Sequence, residues 1–159
     1  MNGDGTTTGP IWSFTTEADG GGGGGGGELF SDDFESGNLS AGGWSAANSN
    51  ASVGSPAFSG AYAARLRRTT SISKGIDTSA GGATLTFWAR TVRYDSGERI
   101  LAEYSTDGSS WTTGATVNPS NSYSQFTVSL PASSNLQIRF STNANRNNEY
   151  GMVDDVLVQ

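Results

Sequence analysis

From residue 28 onward apolar and polar residues alternate with a period of two, and turn-forming residues break the run at intervals of roughly eight to twelve. That period belongs to half-buried strands, because successive Cβ atoms point to opposite faces. Tyr62, Ala64 and Leu66 are therefore expected on the core face of one strand and Leu85, Phe87 and Ala89 on that of the next. Ile100, Ala102 and Tyr104 form a third set, followed by Thr106-Asp107-Gly108-Ser109, a reversal signal that predicts a hairpin leading to Trp111. Phe126, Val128 and Leu130 alternate with polar residues until Pro131 stops the strand, and Leu136, Ile138 and Phe140 repeat the pattern. No stretch carries the apolar repeat of an amphipathic helix. The expected fold is all-β, a two-sheet antiparallel β-sandwich (jelly roll) over residues 28–159, with Leu66, Leu85, Phe87, Phe126, Val128, Ile138, Phe140 and Val156 in its core.

The eight consecutive glycines at 20–27 have no side chain to bury, and they predict a polyglycine linker. Ahead of it, Trp12 and Phe14 share one side of an extended segment. The stretch Thr7-Thr8-Gly9-Pro10-Ile11-Trp12-Ser13-Phe14-Thr15-Thr16 resembles the last strand of bacterial fibronectin type III domains, so residues 1–19 are taken as the remnant of such a domain. No charged-then-apolar leader follows Met1, and the chain is expected to come from the end of a larger protein.

The chain has neither cysteine nor histidine, which excludes disulfides, thiol chemistry and His-based triads. Its net charge of −6 disfavours a phosphate-binding surface, so no nucleic-acid partner is expected, and no apolar run is long enough to span a bilayer. Adjacent carboxylates in a strand point to opposite faces and offer no glycosidase pair, so no catalysis is expected.

Even-numbered residues of the final strand share a face, which puts Asp154 in phase with Met152, Val156 and Val158 and predicts an inward carboxylate. Such a group needs a metal, a proton, an arginine such as Arg65 or Arg139, or backbone amides. At the other end of the domain, Asp32, Asp33 and Glu35 surround a turn, and calcium takes oxygen ligands of this kind.

For binding, Trp88 is out of phase with Phe87 and Ala89 and is expected to be exposed. Tyr94, Tyr123 and Tyr150, near strand ends, are further candidates for stacking on sugar rings, and each has rim packing as its alternative. Trp44 and Trp111 lie beside turns and are expected to cover the end of the core. Arg90, Arg93 and Arg99 cluster around one connection and Arg65, Arg67 and Arg68 around another; both suit an acidic polysaccharide or an ordinary solvated face.

The segments "DDFESG", "SGAYAARL", "LTFWAR", "EYSTDGSSW", "IRFSTNAN" and "VDDVLV" occur in the order in which they resemble the MAM-like and carbohydrate-binding jelly-roll modules of secreted bacterial proteins. The resemblance implies a structural Ca2+ between the acidic turn and the last strand, held first by Glu35 and Asp154, with Asp33, Asp155 and the Gly37 carbonyl as further ligands. It also implies a secreted, monomeric, non-catalytic module of a multidomain protein. Its partner would be a polysaccharide or cell-surface glycan, bound through Trp88, Tyr94, Tyr123, Tyr150, Arg90 and Arg93. An adhesion or spacer domain is the alternative.

Overall fold

The structure is a computed structural model and describes residues 27–159. The segment assigned to a fibronectin remnant and all but the last glycine of the 20–27 run lie outside the described residues.

Strand formation follows the period-two pattern. The strands are β1 (Phe30–Asp32), β2 (Ser45–Ala46), β3 (Ala51–Gly54), β4 (Ala63–Arg67), β5 (Thr69–Ile76) and β6 (Ala83–Val92), then β7 (Ile100–Ser105), β8 (Thr112–Val117), β9 (Ser124–Leu130), β10 (Leu136–Asn143) and β11 (Tyr150–Val158). They form two antiparallel sheets, sheet I in the order β3-β4-β11-β6-β9 and sheet II in the order β2-β5-β10-β7-β8. β11 is the hub of sheet I. It pairs with β6 along its length, and its other edge is shared by β4 near the start and β1 near the end. The jelly-roll sandwich is the fold that the alternation predicts.

Between the sheets, Leu66, Leu85, Phe87, Ile138, Phe140 and Val156 are buried, as is Val128. Each large apolar side chain removed from water contributes about 1.5–3 kcal/mol. Phe126 is only half-buried and stacks on Phe87 with ring centroids 5.4 Å apart. Trp44 does cover one end of the core, against Phe34 and Phe140, and its indole N–H donates to Asp32 Oδ2 at 2.8 Å. Trp111 instead lies under the Arg139 guanidinium, 3.9 Å from its ring centroid. The predicted hairpin joins β7 to β8, and Asp107 holds its turn by accepting the N–H groups of Ser109 and Ser110 at 2.8 and 2.7 Å.

Two phase assignments need correction. Tyr62 is not a core residue: it precedes β4, is 44% exposed, and donates its backbone N–H to Glu35. Asp154 is not in phase with Val156 and Val158. The register of β11 against β6 steps from Asp154↔Trp88 to Leu157↔Thr86, three residues on one strand against two on the other, with Asp155 in the left-handed region at φ 45°. A β-bulge of this kind reverses the inside–outside alternation. Val153 before the bulge and Val156 after it both enter the core, while Asp154 turns with Trp88 to the outer face.

Candidate functional site

The outer face of sheet I collects most of the expected binding residues. In one row across the strands lie Asp154, Trp88 and Gln125; in the next lie Arg65, Met152 and Arg90; Tyr150 follows beside Arg67. They share the face because each is one residue removed from a core position on its own strand.

Onto this face folds the loop of residues 55–62, between β3 and β4. Its Phe58, 41% exposed, stacks on Trp88 with centroids 3.8 Å apart and planes at 10°. Tyr123 meets the edge of Phe58 at 5.7 Å and donates its hydroxyl to the Pro56 carbonyl at 2.8 Å. Burial, with Asp154 nearby, pushes the Tyr123 phenol above its ordinary range.

Carboxylates clasp the loop at its middle and at its end before β4. Asp154 Oδ2 accepts the N–H groups of Phe58 and Ser59 at 2.7 and 3.2 Å, and Oδ1 accepts that of Asp155 at 2.9 Å. Burial raises the Asp154 carboxyl above its usual value, and these three donors offset only part of the rise. Asp155 accepts the Ser59 hydroxyl at 2.8 Å. Glu35 Oε1 accepts the N–H groups of Ala61 and Tyr62 at 2.8 and 2.7 Å. Gly60, at φ +61°, leaves room for that carboxylate, because a Cβ there would come within 2.5 Å of it.

Beside the clasp opens a groove of about 480 Å³, lined by Trp88, Thr86, Gln125, Asp155, Leu157, the β1 residues Ser31 and Asp32, and Asp33 just after them. The Trp88 indole, with one face covered by Phe58, lies around one trough with an amide, hydroxyls and carboxylates, a set able to meet both the C–H and the O–H groups of a polyhydroxylated ligand.

The expected metal ligands divide. Glu35, Asp154 and Asp155 converge on the 55–62 loop; Asp33 lines the groove, and Gly37 closes a turn by donating to the Phe34 carbonyl at 3.0 Å. Among the described residues, the three carboxylates whose oxygens lie within metal-binding reach of one another are instead Asp95, Glu98 and Glu149. This trio carries its own cation, since Arg146 Nη1 lies 2.8 Å from Asp95 Oδ2 and 3.3 Å from Glu149 Oε1. Burial raises the Glu149 carboxyl, but the N–H groups of Arg146 and Asn145 and the Arg146 charge outweigh it and hold the group below its ordinary value.

Two expected ligand-binding residues sit elsewhere. Tyr94 packs against the core and its hydroxyl hydrogen-bonds Thr142, so its ring is not a free platform. Arg93 lies exposed beyond the end of β6 at φ 59°, outside the row that contains Arg90. Phe58, Gln125 and Thr86 escaped the sequence reading. Phe58 did leave a signal, an aromatic in the turn-rich stretch Gly54-Ser55-Pro56-Ala57-Phe58-Ser59-Gly60, where no alternation gives it a core.

No protein-family model matches the chain, and no curated protein matches it by sequence. Solved structures do share its fold. A family 61 carbohydrate-binding module in complex with β-1,4-galactotriose is 18% identical, with 80% of this chain and 93% of that chain covered and a TM-score of 0.63. A xylan-binding domain from Paenibacillus barcinonensis is 13% identical over 84% and 94% of the two chains, with a TM-score of 0.65. The K3 cleaved adhesin domain of Lys-gingipain from Porphyromonas gingivalis is 19% identical over 83% and 97%, also at 0.65. At these identities the likeness establishes the β-sandwich fold.

Proposed function

We propose that the chain is a non-catalytic carbohydrate-binding module of a secreted multidomain protein, and that it binds a polysaccharide on the outer face of sheet I. The observation that carries this reading is the groove in which Trp88, Gln125, Thr86 and Asp155 line one trough. Structures of the same fold that bind galactotriose and xylan support it. The test is affinity electrophoresis of the full chain on β-1,4-galactan and on xylan. Retardation that Trp88→Ala abolishes is the expected result; equal mobility in all gels would refute the reading.

Calcium belongs to the same proposal. Glu35 and the pair Asp154 and Asp155, from opposite ends of the domain, grip one loop, and Glu35 Oε2 accepts no hydrogen bond from the described residues. An ion held there would tie the two ends through the loop and bind the folded chain alone. Stability would then rise by about 3 kcal/mol at a hundredfold excess over the dissociation constant. Identical calorimetric transitions in calcium and in chelator would remove calcium from the proposal. The likeness to an adhesin domain favours a second reading, adhesion to another protein, which the same gels would support if no glycan retards the chain.

A further inference from the structure

The groove beside Trp88 is lined by carboxylates from two separate elements. Asp32 and Asp33 stand at the end of β1 and just after it, and Asp155 stands in the bulge of β11. No lysine or arginine lines the groove, and none of the three acids has a cation within ion-pair distance among the described residues. Ser31, also in the lining, donates its hydroxyl to Glu28 at 2.5 Å, which sets a fourth acid beside the groove. The arginines that the sequence offered to an acidic glycan are engaged elsewhere. The Arg65 guanidinium lies against Gly54 and the Tyr150 ring, Arg90 donates to the Asn121 carbonyl at 3.2 Å, and Arg68 donates to Asn147 Oδ1 at 3.3 Å.

The lining acids differ in what they can still offer. Both oxygens of Asp32 serve the fold: Oδ1 accepts the Phe34 N–H at 2.8 Å and Oδ2 the Trp44 indole N–H at 2.8 Å. Asp33 uses Oδ1 on the Glu35 N–H at 3.1 Å, and Asp155 uses Oδ1 on the Ser59 hydroxyl at 2.8 Å. The Oδ2 atoms of Asp33 and Asp155 accept no hydrogen bond from the described residues. A carboxylate oxygen takes the hydroxyl proton of a neutral sugar and repels a second carboxylate. A cleft lined by one sign of charge also focuses its field, and the net charge of −6 acts in the same direction. A uronic acid entering this trough would give up water from its own carboxylate and meet no cation in exchange.

We infer that the groove selects its polysaccharide by charge: Asp33 and Asp155 are specificity-determining residues that admit a neutral glycan and turn away one built of uronic acids. The inference rests on the carbohydrate reading above and narrows its ligand class, against the acidic polysaccharide that the arginine clusters of the sequence suited.

The experiment pairs each neutral polymer with a charged derivative of itself: β-1,4-galactan with the same polymer oxidised at C6 to carboxylates, and xylan with carboxymethyl xylan. Titration calorimetry on the full chain, at low salt in chelator-treated buffer so that no divalent ion offsets the carboxylates, should show the charged member of a pair bound about tenfold more weakly, the scale of like charges meeting at the edge of solvent. Salt at about 1 M, where the Debye length is about 3 Å, should close most of that gap. Asp33→Asn and Asp155→Asn should each shift the neutral-to-charged ratio toward one. Both keep the Oδ1 acceptor, and asparagine tolerates the left-handed backbone at 155. Asp33→Asn, in an exposed turn, carries the test alone if the other variant fails to fold. Asp77→Asn removes the same charge beyond the end of β5 in sheet II and should leave the ratio unchanged. Equal affinity within a pair, a gap that salt does not close, or a ratio that Asp77→Asn moves as far as the groove variants do, overturns the inference and leaves the carbohydrate reading standing. Binding of none of the polymers overturns both.

Discussion

The outer faces of the two sheets are built from similar parts and finished differently. On sheet II, Arg139 covers the Trp111 ring and also donates from Nε to Glu103 Oε2 at 2.8 Å, while Ser141 donates to the same oxygen at 2.8 Å. That arginine is matched within the protein. On sheet I, Arg65 and Arg90 lie over tyrosines with no carboxylate within ion-pair distance among the described residues, and Trp88 borders an open groove. An arginine on an aromatic ring is therefore no sign of a binding surface by itself. What separates the two faces is the carboxylate: among the described residues neither Arg65 nor Arg90 has one within ion-pair distance, and Arg90 donates to the Asn121 carbonyl at 3.2 Å instead.

The largest effect that can break this comparison is on binding. Trp88→Ala should weaken glycan affinity by about 2 kcal/mol, roughly thirtyfold, and Trp111→Ala should leave it unchanged. Calorimetric titration of both variants against one polymer decides the matter, and equal losses would mean that the two faces do not differ in function.

Stability should show the opposite asymmetry. Glu103→Ala strips Arg139 of its carboxylate in a partly buried setting and should cost about 1–3 kcal/mol in urea unfolding. Arg65→Met, which removes a cation that has no carboxylate partner among the described residues and whose guanidinium lies against Gly54, should be neutral or slightly stabilising. A destabilised Arg65→Met would show that the sheet I arginine is matched after all.

The clasp lies between these extremes. Asp154→Ala leaves the Phe58 and Ser59 N–H groups without their acceptor, and a loss of about 1 kcal/mol is expected together with faster amide exchange at those two residues. Because burial raises the Asp154 carboxyl, its charged form opposes folding. That penalty is absent below the ordinary value of 3.8 and sets in as pH rises through the folded-state value, so Asp154→Asn should flatten stability on the high side of 3.8.

The smallest effect belongs to the sheet II hairpin. The N–H groups of Ser110 and Ser109 hold the Asp107 carboxyl far below its ordinary value of 3.8, so what it contributes is present above that value and is lost as pH falls through the folded-state one. Carboxyl carbon shifts should therefore show Asp107 ionised well below pH 3.8. An ordinary titration midpoint would mean that the turn is not capped in solution.

Much of this molecule is legible without coordinates. The alternation through Leu85 to Ala89 and Leu136 to Phe140 identifies core faces because strand periodicity is a property of each residue and its immediate neighbours. The same logic placed Trp88 on the outer face, although Phe58 stacks on it and leaves it half-buried rather than exposed, and the Asp107-Gly108 signal located the hairpin. It failed at Asp154, because a one-residue bulge set by pairing with β6 reverses the phase, and two adjacent aspartates carry no mark of it.

What the sequence alone determined is the fold class, the faces of most strands and, through the lack of cysteine and histidine, the exclusion of thiol chemistry and His-based triads. Only the tertiary structure decided which outward residues meet. Arg65 and Arg90 become neighbours across Met152 because β11 pairs with β4 on one edge and β6 on the other, and Phe58 reaches Trp88 because carboxylates from both ends of the domain hold its loop. Register and loop docking are set by contacts between residues distant in the chain, and a period of two carries no information about which strands will be neighbours.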